Sequence, residues 1–341
     1  MFYIFYRIHC YYKKNIFKFK LNNLILKFIL SMSIKMLKDS QLKDSEKIFI
    51  ANQIKTITLE DVDREMNQLI NIGTGACNIG PRSRIGNNVV DYFTFVQRLE
   101  TKGKYNVSFY DFLQRLDEFK KKKFIQTMLT YYADVKNKNG QKNEYIVFKE
   151  VYNICISAIN IMRPLNCMEI YVKYKGTKVL NFCAGWGGSL IGAAALGLDT
   201  YYGVEINKDL ENPYANMVAY LSQKTPTKID IRIEDALTID YSSMDYDLVF
   251  ASPPYYSLEK YPYNTIYDSK REMDQLFYKP LFKMTYNGLQ LGGHYIINIC
   301  KEVYDKVLKE LLGAAHETFA LKKSKRQNDY TEMVYVWIKN V

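Results

Sequence analysis

From residue 41 onward the apolar positions recur every three to four residues in blocks. Residues 58–73, TLEDVDREMNQLINIG, read as a capped helix: Thr58 is a capping residue, acidic groups fill the first turn, and Gly73 follows the last periodic position. The blocks 87–100 and 108–137 repeat that spacing and predict two more helices. A polar run at 136–143, broken by Gly140, predicts a boundary that closes a mostly helical region, 41–145.

Beyond it, in 146–341, short apolar runs alternate with helical blocks. A helix is predicted over 147–162, stopped at Arg163-Pro164. Strands are predicted at 177–184, 199–206, 228–235, 246–256 and 292–300. Helices fall at 189–197, 208–223, 271–290 and 302–313, and the segment 318–339 closes the chain as two strands around a polar loop. The 246–256 run is almost wholly apolar, as a strand buried on both faces should be. This alternation predicts an α/β fold: a doubly wound, mostly parallel, seven-stranded Rossmann-like sheet with an antiparallel last strand, preceded by a helical N-terminal region. Ligands of such a sheet sit beyond the carboxyl ends of its strands.

Charge changes this picture only locally. The 341 residues carry a net charge of +11, but residues 1–40 hold eight basic residues against one acidic, whereas residues 151–341 hold 21 of each. The first 40 residues read as a basic, poorly ordered extension, with Met32 and Met36 as alternative starts. Lysines and one arginine interrupt them too often for a membrane-spanning helix or a signal peptide. Six scattered cysteines without a CxxC pair, and only three histidines, predict neither a disulfide framework nor a metal site. They suit a reducing compartment inside a cell, cytoplasm or nucleus.

Three features fall at predicted strand ends. The first is NFCAGWGG (181–188), a Gly-rich turn from strand into helix, where Gly185 and Gly187 permit close backbone approach to a ligand. Such turns also serve dinucleotide enzymes and plain packing. The second is Glu205, 20 residues after Gly185, placed to accept both hydroxyl protons of a ribose; Asp235, after the third strand, is placed to accept from an adenine amino group. The third is Ser252-Pro253-Pro254-Tyr255 after the fourth strand. Two prolines remove two N–H donors and leave carbonyls that only accept. The Pro253 carbonyl and the Ser252 hydroxyl suit the two N–H bonds of an exocyclic amino group, and the Tyr255 ring suits the face of its heterocycle. An amino nitrogen conjugated to a ring is a poor nucleophile. Acceptors that draw on its hydrogens favour a pyramidal nitrogen whose lone pair is aimed at an electrophile.

CAGWGG followed by SPPY and then Glu259-Lys260-Tyr261 resembles the amino-directed DNA methyltransferases, the N4-cytosine/N6-adenine group that uses S-adenosylmethionine, especially members from phages and large DNA viruses. The resemblance covers about residues 146–341. It implies S-adenosylmethionine as methyl donor, with no metal, held by Asn181, Phe182, Ala184, Gly185, Gly187, Glu205 and Asp235. It also implies a catalytic loop of Ser252, Pro253, Pro254 and Tyr255, with Arg163-Pro164 closing over the donor's methionine end. Two positions depart from the family pattern: Asn181 stands where an acid is usual, and Ser189 where a base is usual. Ser252 at the head of the loop favours N4 of cytosine over N6 of adenine. The partner implied is DNA, with a separate specificity subunit as a further possibility.

A base inside a duplex must be flipped out to reach such a pocket. Lys322, Lys323, Lys325 and Arg326, between the last two strands, are candidates for phosphate contacts, as are Arg82 and Arg84 in the helical region. Two alternatives remain at this stage. One is an RNA or protein-amide methyltransferase on the same fold; the other is an inactive nucleic-acid-binding module.

Overall fold

A computed structural model describes residues 42–103, 105–256, 263–322 and 331–340. The extension 1–40, the segment Glu259-Lys260-Tyr261, and Lys323, Lys325 and Arg326 lie outside the described residues. No helix among the described residues is long and apolar enough to cross a membrane.

Seven strands form one sheet: β1 Lys178–Asn181, β2 Thr200–Val204, β3 Lys228–Arg232, β4 Tyr246–Ala251, β5 Leu289–Ile299, β6 Glu317–Ala320 and β7 Met333–Ile338. Their order is β3-β2-β1-β4-β5-β7-β6. The first five strands run parallel, and β7 inserts antiparallel between β5 and β6. The strand order reverses between β1 and β4, which opens a crevice at their carboxyl ends.

Period-two alternation feeds two cores, one on each face. Leu248 and Phe250 of β4, Ile296 of β5, and Val334 and Val336 of β7 join one core. Val249 and Ala251 of β4, Tyr295 and Ile297 of β5, and Tyr335 and Trp337 of β7 join the other. A third cluster lies within the helical region and includes Phe109, Phe112, Phe119 and Ile125.

The helices differ from the sequence reading in two places. The helix Asn87–Glu100 matches its predicted span, and Thr58 caps the helix Leu59–Ile72 through a capping box with Asp61. The 108–137 block, however, is cut into Phe109–Gln114, Leu116–Lys120 and Lys123–Thr130, followed by a π turn at Tyr131–Lys136. Bends at Arg115 and Lys122 allow Phe112, Phe119 and Ile125 all to reach one cluster, which a straight helix would not permit. The helix expected over 147–162 instead spans Glu144–Cys155. Arg163-Pro164 starts a helix, Pro164–Lys173, because proline at the first helical position lacks only an N–H that has no helical partner there.

Tyr145, Phe148, Val151 and Tyr152 pack into the helical cluster, so the helix Glu144–Cys155 closes the helical region rather than opening the sheet domain. Val62, Met66, Leu69, Val89 and Val90 of the helices Leu59–Ile72 and Asn87–Glu100 are buried in the sheet's own core. The strap 156–163 joins the two parts and runs past the carboxyl ends of the strands.

Candidate active site

The crevice at the strand ends is one cavity of about 1850 Å3, bounded by the turn after β1, the end of β2, the loop after β4, the strap and the helical region. Its donor side is built largely from backbone. Gly185 and Gly187 both have positive φ, 59° and 85°, which a β-carbon disfavours, and the chain turns there from β1 into the helix Gly188–Leu196. Gly188 lies directly under the strap: a β-carbon would stand 1.8 Å from the Met162 carbonyl oxygen.

Glu205, at the end of β2, faces this turn. One of its oxygens accepts from the Gly185 N–H at 2.7 Å and the other from the Asn207 N–H at 2.9 Å. Burial pushes its carboxyl up to about 7, against the pull of the Asn207, Gly185 and Ile206 N–H groups. The carboxylate keeps acceptor capacity beyond these N–H groups, which suits a ribose hydroxyl. Asp235 lines the same wall and caps the turn Ala236–Thr238 through the Leu237 N–H at 3.0 Å. Phe182 and Ala184 also line it. Burial, with Glu205 and Asp235 nearby, pushes the Cys183 thiol well above its ordinary value, so it stays protonated beside the site.

Asn181 lines the cavity, yet both ends of its amide serve the fold. Its Nδ2 donates to Ser189 Oγ at 2.7 Å, Ser189 Oγ meets the Tyr201 hydroxyl at 2.6 Å, and its Oδ1 accepts from the Cys183 N–H at 3.0 Å. The two positions that depart from the family pattern therefore touch each other, and a neutral pair stands where an acid and a base would.

The acceptor side is built from side chains. Ser252, Pro253, Pro254 and Tyr255 leave β4 and line the cavity. Ser252 Oγ and Tyr255 Oη both donate to Oδ1 of Asn298, at 3.0 and 3.1 Å. Asn298, on β5, is almost wholly buried, and its Nδ2 donates to the Met333 carbonyl of β7 at 2.9 Å. The Tyr278 hydroxyl donates to the Pro254 carbonyl and accepts from the Tyr256 N–H at 3.1 Å. Tyr256 has a positive φ of 48° and is anchored by its hydroxyl, which donates to Asp274 at 2.9 Å. Asn298 and Tyr278 escaped the sequence reading. Each is distant in sequence from the loop it holds, and neither sits in a recognisable motif.

The third wall comes from the helical region and the strap. Lys55, Arg84, Arg98, Lys149 and Arg163 line it. Asp91 pairs with both Lys55 and Arg98. Lys149 lies over the Tyr152 and Phe109 rings, at 4.7 and 5.3 Å from their centroids. Burial, with Arg98 beside it, pushes its ammonium down to about 7. Arg163 donates to the Pro81 carbonyl at 2.7 Å, which fixes the strap to the loop before the helix Asn87–Glu100.

Two expected phosphate contacts fall elsewhere. Lys322 reaches the Cys77 carbonyl at 3.0 Å and Glu169 at 3.3 Å, so its charge ties the base of the last hairpin to the helix Pro164–Lys173 and does not face the cavity. Arg82 is exposed and stands outside the cavity wall that Arg84 reaches. Among the described residues no cluster of His, Cys, Asp or Glu is arranged to hold a metal ion.

Residues 176–339 match a family model described as RNA cap guanine-N2 methyltransferase. No curated protein matches. Similar solved structures include TrmN from Thermus thermophilus, at 18% identity over 52% of this chain and 48% of that one, with a TM-score of 0.40. An rRNA methylase from Streptococcus thermophilus shares 13% identity over 54% of this chain and 100% of that one, with a TM-score of 0.36. A methyltransferase homologue from Pyrococcus horikoshii shares 14% identity over 51% and 66%, with a TM-score of 0.38. The match spans about half the length of TrmN. The seven-stranded sheet has the Rossmann-like methyltransferase fold, and the family match falls within it.

Proposed function

We propose that this chain is an S-adenosylmethionine-dependent methyltransferase acting on the exocyclic amino group of a base in RNA, with N2 of guanine as the first candidate. One observation carries the reading: the Gly185–Glu205 turn and the Ser252–Tyr255 loop open into the same cavity, whose volume exceeds what one nucleoside-sized ligand occupies. The donor supplies an electrophilic methyl group. Glu205 and Asp235 hold its ribose and adenine ends, and the Gly185–Gly187 turn lets its backbone approach.

The acceptor residues do the rest. Ser252 Oγ and the Pro253 carbonyl accept hydrogen bonds from the two N–H groups, the Tyr255 ring stacks on the base, and the nitrogen that gains the methyl group gives up one of its two protons to water. Catalysis is then positioning plus acceptors aimed at the hydrogens of the amino group as charge develops on its nitrogen. The amino chemistry is argued from the loop, whereas the expectation of DNA rests on resemblance to DNA enzymes. One point favours RNA: the family model over 176–339 describes RNA enzymes. The guanine N2 amine is conjugated to its ring, as those of cytosine and adenine are, and makes the same demand on the loop. Arg84 and Arg163, on the wall opposite the sheet, suit the phosphates of such a strand.

The test is methyl transfer from labelled donor to capped RNA, the same RNA uncapped, and DNA of the same sequence, followed by digestion to nucleosides. Label on an exocyclic amino group of an RNA base, guanine N2 foremost, is the expected outcome. Label confined to DNA would return the enzyme to the N4-cytosine or N6-adenine reading. Label in protein alone would overturn both.

A further inference from the structure

We infer that Asn298 is a positioning residue that makes the substrate pocket selective for an amino group over an oxo group by fixing the direction of the Ser252 proton. The inference rests on the amino-directed reading above and adds to it the source of the discrimination.

The argument is one of hydrogen-bond polarity. The Met333 carbonyl can only accept, so the end of the Asn298 amide facing it at 2.9 Å must be the NH2 group. That settles the amide's orientation and turns Oδ1 toward the loop. An amide oxygen has two lone pairs, and here two hydroxyls reach it, Ser252 at 3.0 Å and Tyr255 at 3.1 Å. Oδ1 has no hydrogen to give, so each hydroxyl must donate to it.

A serine hydroxyl has one hydrogen. With that hydrogen spent on Asn298, Ser252 Oγ presents only lone pairs to the cavity. Pro253 beside it offers a carbonyl and no N–H. The pair is therefore an acceptor surface: an NH2 group satisfies it, and an oxo group would set oxygen against oxygen. Asn298 is almost wholly buried and lies at the cavity's edge, where no bulk water competes for Oδ1. Without it, the Ser252 hydroxyl could rotate, donate to an oxo group, and erase the distinction.

The experiment compares wild type, Asn298→Leu and Asn298→Asp on the RNA that wild type labels. Three quantities are read: donor affinity, single-turnover rate, and competition by the same RNA with oxygen replacing the target amino group. Wild type should prefer the amino RNA over the oxo competitor by about 10²-fold, because a mismatched acceptor pair leaves buried polar groups unpaired. In Asn298→Leu donor affinity should hold, turnover should fall about 10²-fold through loss of alignment, and the amino-over-oxo preference should shrink to a few-fold.

Asn298→Asp guards against a folding defect. An ionised aspartate faces the Met333 carbonyl with no hydrogen to offer, whereas a protonated one donates to Met333 and still accepts from Ser252. Its turnover relative to wild type should therefore rise as pH falls from about 8 to about 6, burial having raised its pKa. An unchanged amino-over-oxo preference in Asn298→Leu, or a flat pH ratio in Asn298→Asp, would overturn the role given to Asn298 while leaving the function intact. Wild-type label at a ring carbon or ribose oxygen, or no label in any nucleic acid, would overturn the function and this inference together.

Discussion

The two halves of the cavity reach rigidity by different routes. On the donor side the chain holds itself: Glu205 accepts backbone N–H groups from the turn 20 residues before it and from Asn207 just after it, and the strap lies on a helix start where only glycine fits. On the acceptor side the loop is held from outside, by Asn298 46 residues away and Tyr278 24 residues away. A backbone-built site tolerates little change at its glycines. A site built from side chains can be retuned one residue at a time.

That contrast can be broken most severely at Gly188. In Gly188→Ala the new methyl group meets a carbonyl oxygen that cannot rotate away, so the strap must lift. We expect donor binding, followed by calorimetry, to be lost, with a lowered melting temperature. Next in size is Tyr255→Ala. Base stacking contributes up to ~3 kcal/mol, so turnover should fall about 10²-fold, while donor affinity stays near wild type. Equal damage to both quantities would mean that the two halves are not separable.

Glu205→Gln sharpens the donor half. Losing a charged acceptor should weaken donor binding about tenfold. Its pH dependence is the finer readout. Burial pushes the Glu205 carboxyl up to about 7, and on the proposed reading its ionised form accepts from the ribose, so wild-type affinity should rise as pH climbs from about 6 to about 8. Glu205→Gln should flatten that rise.

The smallest effect concerns Lys149. Its folded value near 7 lies below that of a free lysine, so holding it charged weakens the fold. That cost is full below pH 7 and fades as pH rises toward the free value. Lys149→Met should therefore raise the melting temperature by about 3 °C at pH 6, and by less at pH 9.

The same contrast explains what could be read from the residues. The strand ends, the glycine turn, Glu205 and the SPPY loop are local signals: each follows from a few adjacent residues and a turn in the hydrophobic pattern. The strap differs from the helix expected there because Ile156, Ile159 and Met162 recur every three residues, a spacing that also fits a helix, while the close contact of Met162 with Gly188 holds the strap against the helix start. Lys322 read as free charge because its partner, Glu169, lies on a helix that the Arg163-Pro164 pair had concealed. Asn298 looked like one polar residue in an apolar strand. Its meaning depends on β7 lying beside β5, which spacing along the chain does not encode.

The place of β7 has a consequence for synthesis. A ribosome releases β5 and the SPPY loop well before Met333 appears, and domains assemble as their parts emerge. Until the last strand slides between β5 and β6, the Asn298 amide has no carbonyl to orient it. A nascent or truncated chain can thus carry the glycine turn and the SPPY loop yet lack the oriented Asn298 amide, which arrives only with β7.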